Sequence, residues 1–153
     1  MTRRAVALAV VVATALLSLV PTATANPGPG TQFGSVSIPS IAVNFPLFEG
    51  DSAMCDGGSS RTLNNGVSHY PCSAFPWEVG TVFIAGHRTT HVAPFRRLDK
   101  MKKGDRIKVS TRRGDYLYEV AKTKIVRPWQ SFNPEVPGRL LLSTCYPAGS
   151  DAY

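Results

Sequence analysis

The segment TVFIAGHRTTHVAPFRRLDKMKKGDRIKVSTRRGDYLYEVA, residues 81–121, decides which fold the chain can adopt. It opens with an apolar run, residues 81–85, that is typical of a strand buried on both faces. Residues 106–110 and 116–121 then alternate apolar with polar or charged positions, and Arg113-Gly114-Asp115 supplies a turn between them. The segment therefore predicts a buried strand followed by a β-hairpin.

Short apolar runs outside this segment extend the same pattern. Further strands are predicted at residues 36–38, 41–48, 125–126 and 140–145. Residues 49–80 contain no strong strand pattern and predict a long loop with one helical turn near 62–65, while the spacing of apolar residues predicts a short helix over 94–101. Six or seven short strands with little helix predict an all-β barrel or sandwich.

Residues 1–25 are predicted to be a secretory signal peptide or an N-terminal membrane anchor. Two arginines precede an uncharged run, residues 5–20, which is short for a permanent span of about 20 residues. The small-residue triplet Ala23-Thr24-Ala25 offers a cleavage site. Both alternatives export the rest of the chain, in which 26–33 is a predicted Pro/Gly linker and 34–153 the folded domain.

The formal net charge is +7, and +5 remains once the two arginines of the leader are set aside. A basic protein of this kind suits nucleic acid or an anionic cell envelope, and export favours the envelope and its membrane surface. Paired basic residues such as Arg96-Arg97 are typical of solvated turns, and no nucleic-acid partner is predicted. Asp51 and Asp56 are isolated in a Gly/Ser loop, so neither a metal nor another cofactor is predicted.

Three cysteines in an exported chain permit one disulfide and one free thiol. Cys55 and Cys72 lie in a loop-like stretch rich in Gly, Ser, Asn and Pro, whereas Cys145 follows an apolar strand. The simplest partition joins Cys55 to Cys72 and leaves Cys145 as the reactive residue. The residues alone leave this connectivity open.

A cysteine nucleophile needs a thiolate, which a nearby base or positive charge stabilises. His87 follows the buried strand 81–85 through Gly86, and Cys145 ends another apolar strand, so the two side chains are candidates to face each other across one cleft. The alternatives are an inert core thiol at Cys145 and a structural loop histidine at His87. Arg88 is not predicted to be catalytic, because neighbouring side chains on an extended chain point in opposite directions.

Two other histidines have less defined settings. His91 lies in a polar stretch with Thr89 and Thr90 that predicts an exposed loop, and no role is assigned to it. His69, together with Tyr70, either packs the long loop or lines the cleft, and the sequence does not separate these alternatives.

Three segments together resemble the sortases, cysteine transpeptidases of the Gram-positive cell surface. They are HYP at 69–71, TVFIAGHRTTHVAPFRRLDKMKKGDRIKV at 81–109 and LLLSTCYP at 140–147. The resemblance extends from about residue 36 to residue 153 and is nearest to class E. Its most specific part is the block around His87 combined with the Thr-Cys end of a strand.

The resemblance implies an eight-stranded sortase barrel with His87 and Cys145 as the catalytic residues, and a substrate groove that includes Thr144 and Tyr70. It implies cleavage of an LPxTG- or LAxTG-like sorting signal after its threonine, through a thioester on the cysteine. The implied partners are surface proteins that carry the signal and the amine of a peptidoglycan precursor. The implied location is the outer face of the membrane or the cell wall.

Two departures from the family pattern leave an alternative open. The family's arginine lies on a strand after the cysteine loop, about ten residues on, and Tyr153 is the last residue given, so the expectation is a chain truncated before the last strand. That expectation admits a non-catalytic, sortase-like surface domain. Cys72 stands where class E members often have glycine. An L,D-transpeptidase is disfavoured because Ser143-Thr144-Cys145-Tyr146 lacks the His-Gly-Cys cluster of that class.

Overall fold

The computed structural model describes residues 25–127 and 136–147, so nearly all of the predicted leader lies outside the described residues. Within them the chain forms seven strands and four short 3₁₀ helices. The strands are β1 Gln32–Ile38, β2 Val43–Glu49, β3 Val67–His69, β4 Thr81–Gly86, β5 Arg106–Thr111, β6 Gly114–Glu119 and β7 Arg139–Ser143. The helices are η1 Pro39–Ile41, η2 Ser52–Asp56, η3 Arg61–Asn64 and η4 Leu98–Lys100. None of the helices in this part of the chain is long and apolar enough to cross a bilayer.

All seven strands belong to one sheet with the order β6-β5-β1-β2-β3-β4-β7, which forms a nearly closed barrel. Neighbouring strands are antiparallel except for β2 with β3 and β4 with β7, which are parallel. The prediction of an all-β barrel with few short helices is confirmed. β4 lies between β3 and β7 and is buried along most of its length, as its apolar sequence predicted.

The interior of the barrel is filled by alternate side chains of the long strands. On β2, Val43 and Leu47 are fully buried and Phe45 is half-buried, so the period of two read from the sequence is the one that the structure uses. The main cluster also contains Val36, Ile38, Val67, Val82, Ile84, Phe95, Ile107 and Val109. The core thus joins β1, β2, β4 and β5 into one unit.

β1 begins at Gln32, inside the segment predicted to be a linker. Phe33 explains the difference, because its ring is buried and meets Phe75 edge-on at 5.6 Å between centroids. Just before it, the Gly30 amide donates to the carbonyl of Glu49 and the Glu49 amide donates to the carbonyl of Thr31. Backbone pairing with β2 therefore orders this Pro/Gly-rich stretch.

β3 lies within residues 49–80, where the sequence predicted a loop. Its three residues, Val67–His69, are all buried between β2 and β4, and three positions are too few to display a period. Conversely, residues 125–126, predicted to be a strand, form none and are exposed. The helix predicted over 94–101 is reduced to the single turn η4.

The hairpin is confirmed, but its turn lies one residue earlier than predicted. Arg112 and Arg113 connect the strands, and Gly114 already pairs with Thr111. The Thr111 hydroxyl donates to the Gly114 carbonyl at 3.1 Å and accepts from the Arg113 amide at 3.1 Å. Gly114 has a φ of +138°, which a glycine adopts without strain.

A buried polar pair joins the facing residues Glu49 of β2 and His69 of β3. Nδ1 of His69 lies 2.7 Å from Oε2 of Glu49, and Nε2 lies 3.0 Å from the Ala74 carbonyl. Both ring nitrogens therefore have an oxygen partner. His69 is 0% exposed and stacks on Phe75 at 4.5 Å. Of the two alternatives for His69, packing of the interior is the one observed.

We expect Glu49→Leu to destabilise the fold by about 3–5 kcal/mol, because it leaves His69 buried without its charged partner. Chemical unfolding followed by circular dichroism measures the loss. The double variant Glu49→Leu/His69→Phe is the control and should recover much of it, since both polar groups are then replaced. A single variant as stable as the wild type would contradict this role of the pair.

Candidate active site

The parallel pairing of β4 with β7 brings the two predicted catalytic residues to the same end of the sheet. Ala85 lies opposite Ser143 in this ladder, so His87 and Cys145 are each two residues beyond the last matched pair. The Thr144 hydroxyl donates to the Gly86 carbonyl at 2.8 Å and holds the two strand ends together past the last ladder pair. Adjacent strands are about 4.8 Å apart, and residues in register point to the same face.

Cys145 is the free cysteine of the chain and is 7% exposed. Cys55 and Cys72 form a disulfide, with their Cα atoms 5.9 Å apart. The partition predicted from the cysteine count is therefore confirmed.

His87 is half-buried, and its ring contacts Asn64 and His91. Nε2 lies 3.4 Å from Oδ1 of Asn64, at the end of η3, and the ring stacks on that of His91 with centroids 5.0 Å apart. Burial lowers the pKa of His87 below the ordinary histidine value, and the charge of His91 lowers that pKa further. The neutral ring is thus favoured near neutral pH, where it can accept a proton.

Gly86 allows the chain after β4 to fold back tightly. The amide of Phe95 donates to the carbonyl of His87 at 3.0 Å, and the ring of Phe95 is completely buried against Gly86. A Cβ at position 86 would lie 2.8 Å from Cδ2 of Phe95 and 3.0 Å from Cγ of Pro94. Glycine is therefore required for packing at the point where β4 presents His87.

His91 contacts His87, although its sequence setting predicted an exposed loop with no role. Its φ of 52° and that of Ala93, 43°, are left-handed, and these two residues turn the loop so that the ring of His91 meets that of His87. The polar neighbours Thr89 and Thr90 are exposed, as predicted. A left-handed backbone at residues other than glycine is set by the surrounding structure, so no sequence signal marked this contact.

Arg88, which was not predicted to be catalytic, reaches the backbone at the end of β7. Nη1 donates to the carbonyl of Cys145 at 3.3 Å, and Nη2 lies 3.1 Å from Oδ1 of Asp99. The guanidinium carbon also lies 5.0 Å from the ring centroid of Tyr146. Arg88 therefore contacts the strand end that carries Cys145, and the sequence did not predict this contact.

The two predicted substrate-binding residues have different surroundings. The hydroxyl of Thr144 is engaged with the Gly86 carbonyl, so it contributes to the strand ends themselves. Tyr70 is half-buried and stacks on Phe83 at 4.1 Å, with 9° between the ring planes. It also packs against the small cluster of Met54, Leu63 and Ala85. Its part in a substrate groove stays a prediction.

A second constellation superficially resembles a serine hydrolase triad. Oγ of Ser73 lies 3.1 Å from Nε2 of His69, whose Nδ1 faces Glu49. However, the Ser73 hydroxyl donates to the carbonyl of Tyr70 at 2.8 Å and accepts from the amide of Phe83 at 3.1 Å. With its proton committed and His69 fully buried, Ser73 is a structural link between strands. Nucleophilic chemistry in this chain therefore points to Cys145.

No cluster of metal ligands occurs among residues 25–127 and 136–147.

Comparison with known proteins identifies the family of this arrangement. The profile described as "Sortase domain" matches residues 36–153. Sortase D of Bacillus subtilis is 34% identical over 125 residues, which cover 80% of this chain and 58% of that protein. Sortase SrtE1 of Streptomyces coelicolor is 34% identical over 143 residues, 82% of this chain and 39% of that protein. The chain thus spans about half the length of these curated relatives.

A solved structure agrees with the sequence relatives. The crystal structure of sortase E1 from Streptomyces coelicolor with a tripeptide in the active site has a TM-score of 0.69 and 29% identity, over 84% of this chain and 86% of that chain. The seven-stranded barrel described above is therefore a sortase barrel, and the predicted resemblance to class E is confirmed.

We expect Gly86→Ala to destabilise the protein by about 1–3 kcal/mol, because the added methyl group must displace the buried ring of Phe95. Urea unfolding measures the change. Gly28→Ala is the matched control, since a Cβ there meets nothing within 4 Å and the backbone is not left-handed. Equal stabilities for the two alanine variants would contradict the packing role of Gly86.

We expect His91→Gln to raise the pKa of His87, because the second cause of its lowering is removed, while burial, the first cause, keeps that pKa below the ordinary value. A pH titration of the histidine ring signals by NMR measures the shift. Arg97→Gln removes an exposed positive charge elsewhere and should leave the titration unchanged. A His87 titration that is insensitive to His91→Gln would disprove the electrostatic contact.

Proposed function

Because this chain belongs to the sortase family, we propose that it is a cysteine transpeptidase in which Cys145 is the nucleophile and His87 the acid–base residue. The observation that supports the proposal is the parallel register of β4 and β7, in which His87 and Cys145 each follow the last matched pair by two residues. A reactive pair on two adjacent strand ends is held by the sheet itself, which limits the motion of either side chain.

The first step is acylation of the cysteine. The thiol proton of Cys145 passes to His87, and the thiolate attacks the carbonyl carbon of the threonine in the sorting signal. The carbon–nitrogen bond to the following glycine then breaks, and the imidazolium of His87 donates its proton to the departing amine. The product is a thioester at Cys145 and a released C-terminal fragment.

The second step transfers the acyl group. An incoming amine attacks the thioester carbonyl, gives a proton to His87 and displaces the thiolate, which restores Cys145. A lowered pKa supports this cycle, because it makes the protonated His87 a better acid towards the leaving amine while the free ring remains a usable base. Both half-reactions use the same pair of residues in opposite directions.

We assign the substrate to surface proteins that carry an LPxTG- or LAxTG-like signal, and the acceptor to the amine of a peptidoglycan precursor. The resemblance to class E supports both assignments. Tyr70 and Thr144 are the proposed walls of the groove, since each directly follows a strand, β3 and β7, and Tyr70 is partly accessible. Export through residues 1–25 would put the domain at the outer face of the membrane or in the cell wall.

The test measures transpeptidation by the purified full chain on a fluorogenic LAxTG peptide, with triglycine as the amine acceptor. Mass spectrometry should detect the thioester at Cys145 and a product joined after threonine. Cys145→Ala should abolish turnover, and His87→Gln should lower it by roughly a hundred- to ten-thousandfold, as expected for a lost acid–base group.

Arg97→Gln serves as the control, because it removes an exposed charge of the same segment and leaves the surroundings of His87 unchanged. It should retain turnover within about an order of magnitude. If neither an LAxTG nor an LPxTG peptide acylates Cys145 in folded protein, the proposed function is wrong. Turnover that persists in Cys145→Ala would remove Cys145 from the mechanism.

A further inference from the structure

The contacts of Arg88 are unusual for a residue outside the reacting face. Its side chain is 9% exposed and contacts three groups: the Cys145 carbonyl, the Asp99 carboxylate and the ring of Tyr146. Asp99 belongs to η4, and its side chain is 31% exposed. One guanidinium therefore connects the turn after β4, η4 and the loop after β7.

Stability alone gives no reason for a charge at this position. Nε of Arg88 is buried and has no hydrogen-bond partner among the described residues. An unpaired buried donor is costly, and apolar residues that replace a buried ion pair are often as stable or more stable. A long apolar side chain at position 88 would fill the same space without this penalty. The guanidinium therefore calls for an explanation other than stability.

The position of the Cys145 carbonyl provides that explanation. Ser143 is the last residue of β7 to pair with β4, and Thr144 is held through its hydroxyl. Cys145 lies two residues beyond the last pair of this ladder. Nη1 of Arg88 donates to the Cys145 carbonyl at 3.3 Å, and holding this carbonyl holds the backbone that carries the sulfur.

We propose that Arg88, itself held by Asp99, is a positioning residue that fixes the main chain at Cys145 so that the sulfur stays opposite His87. The inference deepens the proposed function and rests on it. The planar guanidinium suits this task, because its two terminal nitrogens donate in fixed directions to Asp99 and to the carbonyl at once. A lysine ammonium is a point charge that cannot span both acceptors in the same geometry.

The decisive variant is Arg88→Met, which keeps an unbranched apolar side chain and removes the guanidinium donors. Alkylation of Cys145 by iodoacetamide across a pH series reports on the thiol without any sorting peptide. We expect the rate near neutral pH to fall about tenfold and the midpoint of the pH profile to move upward, because the sulfur is no longer held beside His87. The urea unfolding midpoint should stay the same or rise.

Turnover of the sorting peptide gives a second readout. Arg88→Met should lower kcat by about ten- to a hundredfold with little change in KM, as expected for lost orientation of a reacting group. Arg88→Lys should recover only part of kcat. Asp99→Asn should show a smaller loss, and the double variant Arg88→Met/Asp99→Asn should be no worse than Arg88→Met, because the two residues act as one unit.

Two control variants change basic residues near Asp99. Lys100→Met removes the other cation near Asp99, an exposed ammonium 3.7 Å from Oδ2, and Arg97→Met removes an exposed arginine of the same segment. Both should behave as the wild type in alkylation and turnover. A loss in Lys100→Met as large as in Arg88→Met would assign the effect to the general charge of the turn and overturn the proposal.

The proposal is also overturned if Arg88→Met alkylates with the wild-type rate and midpoint and keeps its kcat. If Arg88→Met fails to fold, Arg88→Lys decides instead, and wild-type alkylation and kcat in a folded Arg88→Lys would overturn the proposal. Failure of the proposed function looks different. The wild type would then transfer no peptide, while the alkylation profiles of the Arg88 variants would still support or overturn the positioning role.

Discussion

The parallel pairing of β4 with β7 is the constraint on which the site depends. Parallel strands cannot be joined by a tight turn, so the connection from β4 to β7 is long, and it includes the β5–β6 hairpin at the other edge of the sheet. β4 and β7 therefore finish at the same end of the sheet. An antiparallel return would separate His87 from Cys145 by the length of a strand, and no local adjustment would reunite them.

Two polar pairs in this barrel illustrate different uses of buried charge. Glu49 and His69 meet inside the sheet, where both ring nitrogens are satisfied and the pair joins β2 to β3. Arg88 and Asp99 meet beside the strand ends, where one guanidinium nitrogen is left without a described partner. The first pair stabilises the fold. The Arg88–Asp99 pair lowers stability and positions the carbonyl of Cys145, and functional sites often lower stability in this way.

The sequence predicted those features that depend on local pattern. The apolar run at 81–85, the alternation around Val43 and the odd cysteine count all correspond to observed features, because burial and pairing impose them on any chain of this class. β3 was missed because three residues show no period. The contacts of His91 and Arg88 were missed because they depend on a left-handed loop and on a long side chain that bends around a strand end. Such contacts arise only when distant segments meet.

The disulfide between Cys55 and Cys72 has a consequence for where the protein can mature. It closes a loop of 17 residues that contains η3 and therefore Asn64, the neighbour of the His87 ring. A cross-link over such a loop restricts the unfolded chain by about 3 kcal/mol. In a reducing cytosol the loop would lack this restraint, and one wall of the cleft would be less well ordered. Under the proposed export, oxidation after translocation would supply this restraint and would be the last step in ordering the loop beside His87.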